Sequence, residues 1–299
     1  MNTLRGLLVL IVLLGGMLAA PVLADSQVET AEGTQIDLRF DGIRQGRLGT
    51  VDVRGADLAH VQAALLGAQF RFFPVSGEDD LFRGYIAAPM DAPPGFHDLA
   101  ILAIYADGRE DFHLAEVRIL AGGFAETTFS LPRELQDLAD HNLYLDELAL
   151  LNAYIQAGRA AEGSWHQRGI VPPLTRRLTA GYGTFRYFSG PEWQRHSGVD
   201  YAAPEGTPIP NMASGRVVAI LQLPLRGNYV LIDHGGGLFS GYAHLLEVTV
   251  RAGDFVIPGD EVGTLGNTGR STGPHLHWEI ALGGVWVDPL DFAARFSAD

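Results

Sequence analysis

The chain has 299 residues, with 21 basic and 35 acidic side chains and a formal charge of −14 at pH 7, and every basic residue is arginine. The absence of lysine excludes P-loops, Schiff-base cofactors and kinase-type nucleotide clamps. The absence of cysteine excludes disulfides, thiol catalysis and cysteine-bound metals, so any metal must be held by histidine and carboxylate side chains. The arginines form no cluster, which argues against nucleic acid as a partner.

Residues 1–24 have the pattern of a secretory signal peptide. Arg5 precedes an apolar run at 7–14, and Val22 and Ala24 occupy the small-residue positions before a cleavage point. Continued through the glycines to residue 20, the apolar stretch has about 14 residues, which is shorter than the roughly 20 that span a bilayer. We therefore expect a periplasmic or secreted protein, with no stable membrane insertion once the signal peptide is cleaved.

Residues 25–131 consist of short apolar runs separated by turn residues. Asp107 and Gly108 stand between two of these runs and favour a hairpin, because both residue types tolerate a positive φ. Strands at this spacing, with no helical period between them, predict an immunoglobulin-like β-sandwich. The predicted strands cover 48–53, 69–75, 82–88, 99–105, 112–120 and 127–131.

A helical linker is predicted at 132–163, where Leu148, Leu151 and Ile155 recur at steps of three and four residues. Residues 164–299 form the last predicted domain, which is rich in glycine and short strands and is expected to be all-β. The glycines at 235–237 favour a hairpin. The predicted strands of this domain cover 215–221, 228–234, 238–245 and 276–282. The predicted fold class is therefore mainly β throughout, with one short helical segment.

Chemically active side chains concentrate in this last domain. On a strand, His275 and His277 would point to the same face about 7 Å apart, where they could share a metal or stand as a solvated pair. His196 and Asp200 are four residues apart, but the glycine and proline around them favour a loop entering a strand over a helix. Their mixed nitrogen and oxygen donors suit zinc, or the aspartate simply supports the histidine.

Two further histidines are ambiguous when taken alone. His244 lies in the sequence Gly-Tyr-Ala-His-Leu at the end of a predicted strand, where a structural role is the usual one. His234 lies next to the glycine turn, and we expect it to stabilise that turn.

Taken together, these blocks resemble the LytM/lysostaphin-type zinc metallopeptidases, peptidase family M23. The resemblance covers about 165–289 and includes His196-x-x-x-Asp200, the block around His244, and the segment 266–279 that contains His275 and His277. It implies one zinc ion per chain, held by His196, Asp200 and His277. It also implies that His244 and His275 flank the water that attacks the substrate and act as the catalytic residues.

The resemblance further implies an exported zinc metalloendopeptidase that hydrolyses peptide cross-links of bacterial peptidoglycan, at either D-alanyl or glycyl bonds. The chain lacks the H-E-x-x-H motif, so the base is expected to be His244 or His275 and not a glutamate. One alternative is a non-hydrolytic LytM-type module that binds cell wall and regulates amidases. A second is an adhesion or sensing protein whose β-rich front half does the work.

Two roles near the site stay open at this stage. Arg186, Arg195 and Arg270 either contact the stem peptides of the substrate or are solvated surface residues. Either the linker region, with His141 and Asn142, or the front domain is a candidate to cover the groove or to add a zinc ligand, which would give a latent enzyme.

Overall fold

The computed structural model describes residues 27–30, 32–158, 170–188 and 193–296. The predicted signal peptide lies outside the described residues. Within them, neither α-helix combines the length and the apolar character that crossing a bilayer would require.

The front half is a nine-stranded sheet in the order β1-β2-β4-β7-β6-β5-β8-β9-β3, antiparallel except for the pair β3 and β9. The first part of β6 pairs with β5 and its last part pairs with β7, so this strand joins two portions of the sheet. The immunoglobulin-like arrangement stays a prediction. The strands are β1 Gln27–Glu29, β2 Gln35–Leu38, β3 Ile43–Arg44, β4 Leu48–Arg54, β5 Leu58–Leu65, β6 Ala68–Val75, β7 Glu78–Ala87, β8 Gly95–Tyr105 and β9 Glu110–Leu120.

The middle segment, described at residues 121–158, connects the two halves of the chain. It contains β10 Glu126–Phe129, a 3₁₀ helix at Arg133–Ala139 and the helix α1 at His141–Gly158. Leu151 and Ile155 of α1 are fully buried, in agreement with the apolar period of the sequence. The strand β10 pairs in parallel with β12 (Phe185–Phe188), so it lies against the C-terminal half although its sequence position suggested the front half.

The C-terminal half is a ten-stranded antiparallel sheet whose main path is β11-β14-β21-β18-β17-β16-β19. A separate three-stranded sheet joins β10, β12 and β13, and the helix α2 at Pro289–Phe296 follows the last strand. The remaining strands are β11 Arg177–Ala180, β13 Trp193–Arg195, β14 Gly198–Ala202, β15 Pro208–Pro210, β16 Gly215–Leu223, β17 Gly227–Gly235, β18 Leu238–Val248, β19 Phe255–Val256, β20 Glu261–Leu265, β21 His275–Leu282 and β22 Val285–Val287.

The mainly-β prediction is confirmed. Every strand predicted from the sequence overlaps an observed strand, and both predicted hairpins are present, at Asp107-Gly108 and at 235–237. The glycine at position 108 has φ +86, a backbone conformation that glycine adopts without strain. Twelve of the 22 described strands were not predicted, and all of these except β5 are two to five residues long. The eight-residue β5 was missed because its sequence mixes polar and small residues with few large apolar ones.

Candidate metal centre

The pairing of β14 with β21 builds the centre of the site. In this antiparallel pair Asp200 is opposite His277, and both side chains are buried. His196 lies in the short loop between β13 and β14, as predicted, and its backbone N–H donates to the Thr184 carbonyl at 3.0 Å. The sheet and this loop therefore bring together three side chains that are up to 81 positions apart in the chain.

Ligand atoms from these three residues converge on one point. His196 Nε2 lies 2.9 Å from Asp200 Oδ1 and 2.9 Å from His277 Nδ1, and His277 Nδ1 lies 2.8 Å from Asp200 Oδ1. Within the part of the chain that the structure describes, these three residues are the one group of three or more histidine and acidic side chains whose ligand atoms lie close enough together to hold a metal ion. Two imidazoles and one carboxylate form the donor set of a catalytic zinc site, which leaves one position for water or substrate.

Hydrogen bonds on the far side of each ring fix which nitrogen faces the centre. His196 Nδ1 donates to the Gly181 carbonyl at 2.7 Å, and His277 Nε2 donates to Glu279 Oε2 at 3.0 Å. Each ring therefore presents the lone pair of its other nitrogen to the centre when the ring is neutral. Fixed tautomers with carbonyl or carboxylate partners are typical of metal-binding histidines, so the residues present fit a divalent cation.

Burial and neighbouring charges shift the pKa values of all three candidate ligands. Burial raises the pKa of Asp200, but His196 and Arg186 outweigh burial and hold it well below its usual value; Arg186 Nη2 donates to Asp200 Oδ2 at 2.7 Å. Burial lowers the pKa of His196 to about 4. Burial also opposes protonation of His277, but its hydrogen bonds with Asp200 and Glu279 prevail and raise its pKa. A proton at His277 Nδ1 therefore competes with a metal ion for this ligand.

The two predicted catalytic histidines stand beside the ligand group. The rings of His244 and His275 lie 4.5 Å apart, and His275 Nε2 is 3.8 Å from Asp200 Oδ1. His244 Nδ1 donates to the Thr268 carbonyl at 2.8 Å, and His275 Nδ1 donates to the Gly273 carbonyl at 2.9 Å. Both rings thus keep their Nε2 lone pairs available as proton acceptors.

Burial is the main reason that the pKa values of both histidines are lowered, well below the usual value for His244 and less for His275. Both are therefore neutral at pH 7 and able to accept a proton. His244 also has a φ of +60, a left-handed backbone conformation that is uncommon for a residue with a side chain. Such strained positions occur preferentially where a side chain must be aimed at a functional centre.

A cavity of about 360 Å³ opens next to these histidines. Its walls include Asp200, His244 and His275, together with Phe129 and Leu131 from the segment that precedes the 3₁₀ helix. The segment that contains Phe129 and Leu131 therefore forms part of the cavity wall. His141, a candidate to cover the groove, instead lines a different cavity, between the two halves of the chain.

The three arginines are neither solvated surface residues nor free cations. Arg186 binds Asp200; Arg195 is 8% exposed and donates to the backbone carbonyls of Gly183 and Met90. Arg270 donates to the Leu138 carbonyl at 3.0 Å, and its guanidinium lies 4.1 Å from the centre of the Phe188 ring. All three hold the middle segment, the front half or the metal centre in place.

His234 lies outside the site. It is 4% exposed, and its two ring nitrogens bind the Ser214 carbonyl at 2.9 Å and the Ser240 hydroxyl at 2.8 Å. It therefore joins the start of β16 to β18, consistent with the structural role expected for it.

The sequence interpretation missed Glu279 and Arg226, which lie directly behind the metal centre. Glu279 follows His277 by two residues on β21, so the alternation of a strand places both on one face. That spacing was a usable signal. Arg226 precedes β17 and reaches Glu279 Oε1 through its Nε at 2.8 Å, a contact for which the sequence offers no signal.

Comparison with known proteins agrees with this geometry. Residues 194–289 match the family model of peptidase family M23. The DD-carboxypeptidase/endopeptidase Mpg of Neisseria meningitidis is 38% identical over 124 residues, which is 42% of this chain and 29% of the relative. The peptidoglycan DD-endopeptidase ShyA of Vibrio cholerae is 45% identical over 95 residues, which is 32% of this chain and 22% of the relative. The chain thus spans less than a third of the length of these two relatives.

One solved structure resembles most of the chain. A candidate M23 peptidase from Pseudomonas aeruginosa is 27% identical, with a TM-score of 0.61, and the match covers 83% of this chain and 94% of that protein. The fold, the site geometry and the family match define a metallopeptidase domain. Residues 194–289 are therefore assigned to peptidase family M23 as a domain in the C-terminal half of the chain.

Proposed function

We propose that this protein is an exported zinc metalloendopeptidase that hydrolyses peptide cross-links of bacterial peptidoglycan. The observation that carries the proposal is the convergence of His196, Asp200 and His277, with His244 and His275 beside them. The relatives named as peptidoglycan DD-endopeptidases support the substrate class and favour the D-alanyl cross-link over a glycyl bridge.

His196, Asp200 and His277 would hold one zinc ion. Zinc held there would supply a water of lowered pKa, toward about 7, and a positive charge to polarise the scissile carbonyl. Arg186 holds the second carboxylate oxygen of Asp200, so the first one stays directed at the centre. The carbonyl of Gly181 and the carboxylate of Glu279 hold the two imidazoles in the orientation that ligation requires.

Either His244 or His275 accepts the proton of the attacking water at its Nε2, and the same proton is then available to the departing amine. The partner histidine orients the water or stabilises the charge that develops on the carbonyl oxygen. His275 has the more accessible side chain, 16% exposed, and it borders the cavity where a peptide would lie. The lowered pKa of both residues is consistent with a neutral imidazole acting as the general base.

Purified cell wall provides the test. Incubation with the full chain is expected to convert cross-linked stem-peptide dimers to monomers, to stop with a chelator and to resume when zinc is added back. His277→Ala serves as the inactive control. Binding to cell wall without any change in its cross-links, with zinc present, would contradict the proposal and support the non-hydrolytic, amidase-regulating alternative.

A further inference from the structure

The helix α1 places a carboxylate inside the C-terminal half. Glu147 is 3% exposed, although its neighbours Asp146 and Leu148 on the same helix are exposed and half-buried. The residue lies well before the segment that matches the family model, which begins at 194. A buried carboxylate needs partners that compensate its desolvation, and α1 itself supplies none.

The partners of Glu147 come from the turn between β16 and β17. Its Oε1 accepts the backbone N–H of Leu225, and its Oε2 accepts Nη1 of Arg226 at 2.9 Å. Arg226 is only 6% exposed, so its positive charge is also removed from water. Because both groups are buried, loss of either would leave the other uncompensated, at a cost well above that of a surface ion pair.

The opposite side of the Arg226 guanidinium binds Glu279. Nε lies 2.8 Å from Glu279 Oε1 and Nη2 lies 3.1 Å from Oε2, a two-point contact. Ser197 Oγ and the Tyr229 hydroxyl also donate to the Glu279 carboxylate, at 2.6 and 2.8 Å. Glu279 is completely buried, and these hydrogen bonds fix its carboxylate on the side away from the metal centre.

Glu279 then accepts the N–H of His277 at 3.0 Å. A continuous chain of contacts therefore runs from Glu147 through Arg226 and Glu279 to His277. In formal charges, two carboxylates and one guanidinium leave this cluster with a net charge of −1. Without Glu147, the Arg226–Glu279 pair would be neutral, and Glu279 would be a weaker acceptor for the imidazole of His277.

We propose that Glu147 is a positioning residue of the metal centre: by offsetting the charge of Arg226 from helix α1, it keeps the Glu279 carboxylate a strong acceptor that orients and polarises the metal ligand His277. The inference rests on the proposed function, because it assumes that His277 binds zinc. It also means that α1 contributes to the metal centre and does more than connect the two halves of the chain.

The test compares three variants of the full chain. Glu147→Gln keeps the size of the side chain and removes its charge. Asp146→Asn removes the same charge from the adjacent exposed position. Leu151→Ala removes buried apolar volume from the same helix without touching the charged chain of contacts, and so reports on helix packing alone.

Zinc affinity is measured by competition with a chelator, and the visible absorption of the cobalt-substituted protein reports the ligand geometry. We expect Glu147→Gln to bind zinc about tenfold more weakly, with an altered cobalt spectrum, the size of effect typical of groups that support a metal ligand. Asp146→Asn is expected to match the wild type. Leu151→Ala is expected to lower the melting temperature while leaving the affinity and the spectrum of the folded protein unchanged.

The outcomes separate the two proposals. Wild-type zinc affinity and an unchanged cobalt spectrum in Glu147→Gln, even with a lower melting temperature, would show that Glu147 only anchors α1 and would overturn the inference. A wild-type chain that binds zinc and leaves cell wall intact would contradict the proposed reaction but not the role of Glu147. A wild-type chain that binds no zinc would contradict both.

Discussion

His196 and His277 face each other through ring nitrogens 2.9 Å apart, and the other nitrogen of each ring is held by an acceptor on the far side. Two neutral imidazoles in this orientation would direct their lone pairs at one another, which is unfavourable unless a cation or a proton lies between them. Asp200 completes the group with a carboxylate oxygen 2.8 Å from His277. This relationship is the physical basis for expecting a metal ion between the three side chains.

Removal of a proposed ligand should abolish metal binding. We expect His277→Ala and Asp200→Ala to lose zinc, because two protein ligands cannot hold the ion as tightly as three. The metal content of the purified proteins, determined by atomic absorption, checks this directly. Normal zinc content in either variant would reject that residue as a ligand.

Removal of a proposed catalytic histidine should leave the metal in place. His244→Ala and His275→Ala are each expected to retain zinc and to lower turnover by about 10² to 10⁴, the range for a general acid–base group. Steady-state cleavage of a cross-linked peptide, measured with the zinc content of the same sample, tests both. Full turnover with zinc bound would remove the substituted residue from the mechanism.

A glycine behind the centre provides a test of close packing. A Cβ at Gly241 would lie 1.9 Å from the Tyr229 hydroxyl, which donates to Glu279. Gly241→Ala is therefore expected to displace Tyr229, to destabilise the fold by about 1–3 kcal/mol and to weaken zinc binding. At Gly181 a Cβ would meet no atom within 4 Å, so Gly181→Ala is the matched control for stability; it is not used for zinc binding, because the Gly181 carbonyl holds His196. Denaturant unfolding that shows equal stabilities would contradict the predicted clash.

The buried His234 should make the fold sensitive to acid. Burial lowers its pKa to about 4, whereas an unfolded histidine has a pKa of about 6.5. The unfolded chain therefore binds this proton more tightly, so stability falls as the pH drops from about 6.5 to about 4. At pH 4.5 the loss from this group is about 2–3 kcal/mol relative to pH 7.

His234→Asn can keep a donor for the Ser214 carbonyl but has no group that titrates in this range. Its free energy of unfolding is expected to change less between pH 7 and pH 4.5 than that of the wild type. Urea unfolding at the two pH values measures the difference. An identical pH dependence in both proteins would contradict the predicted role of His234.

The sequence predicted those parts of the structure that depend on local pattern. Apolar runs located ten of the 22 described strands, including nearly all of the long ones. The combination of His196, Asp200, His244, His275 and His277 located the centre, because each residue lies in a short block with recognisable spacing. These five side chains meet in the structure even though the chain positions are far apart.

The support around the centre could not be predicted in the same way. Arg186 reaches Asp200 from β12, and Glu147 reaches Arg226 from α1, and each contact depends on how separate elements pack. From the sequence alone, a glutamate on the exposed face of a helix cannot be told from one that a neighbouring element buries. The parallel pairing of β10 with β12 was missed for the same reason, since the sequence of such a short strand does not specify its partner strand.

The most direct test of the account is a crystal structure of the zinc-loaded protein with anomalous data collected at the zinc absorption edge. We predict a single peak about 2.0–2.2 Å from His196 Nε2, His277 Nδ1 and an oxygen of Asp200, the distances of zinc bound to nitrogen and oxygen. A peak held by other residues, or none at these three side chains, would contradict the central claim.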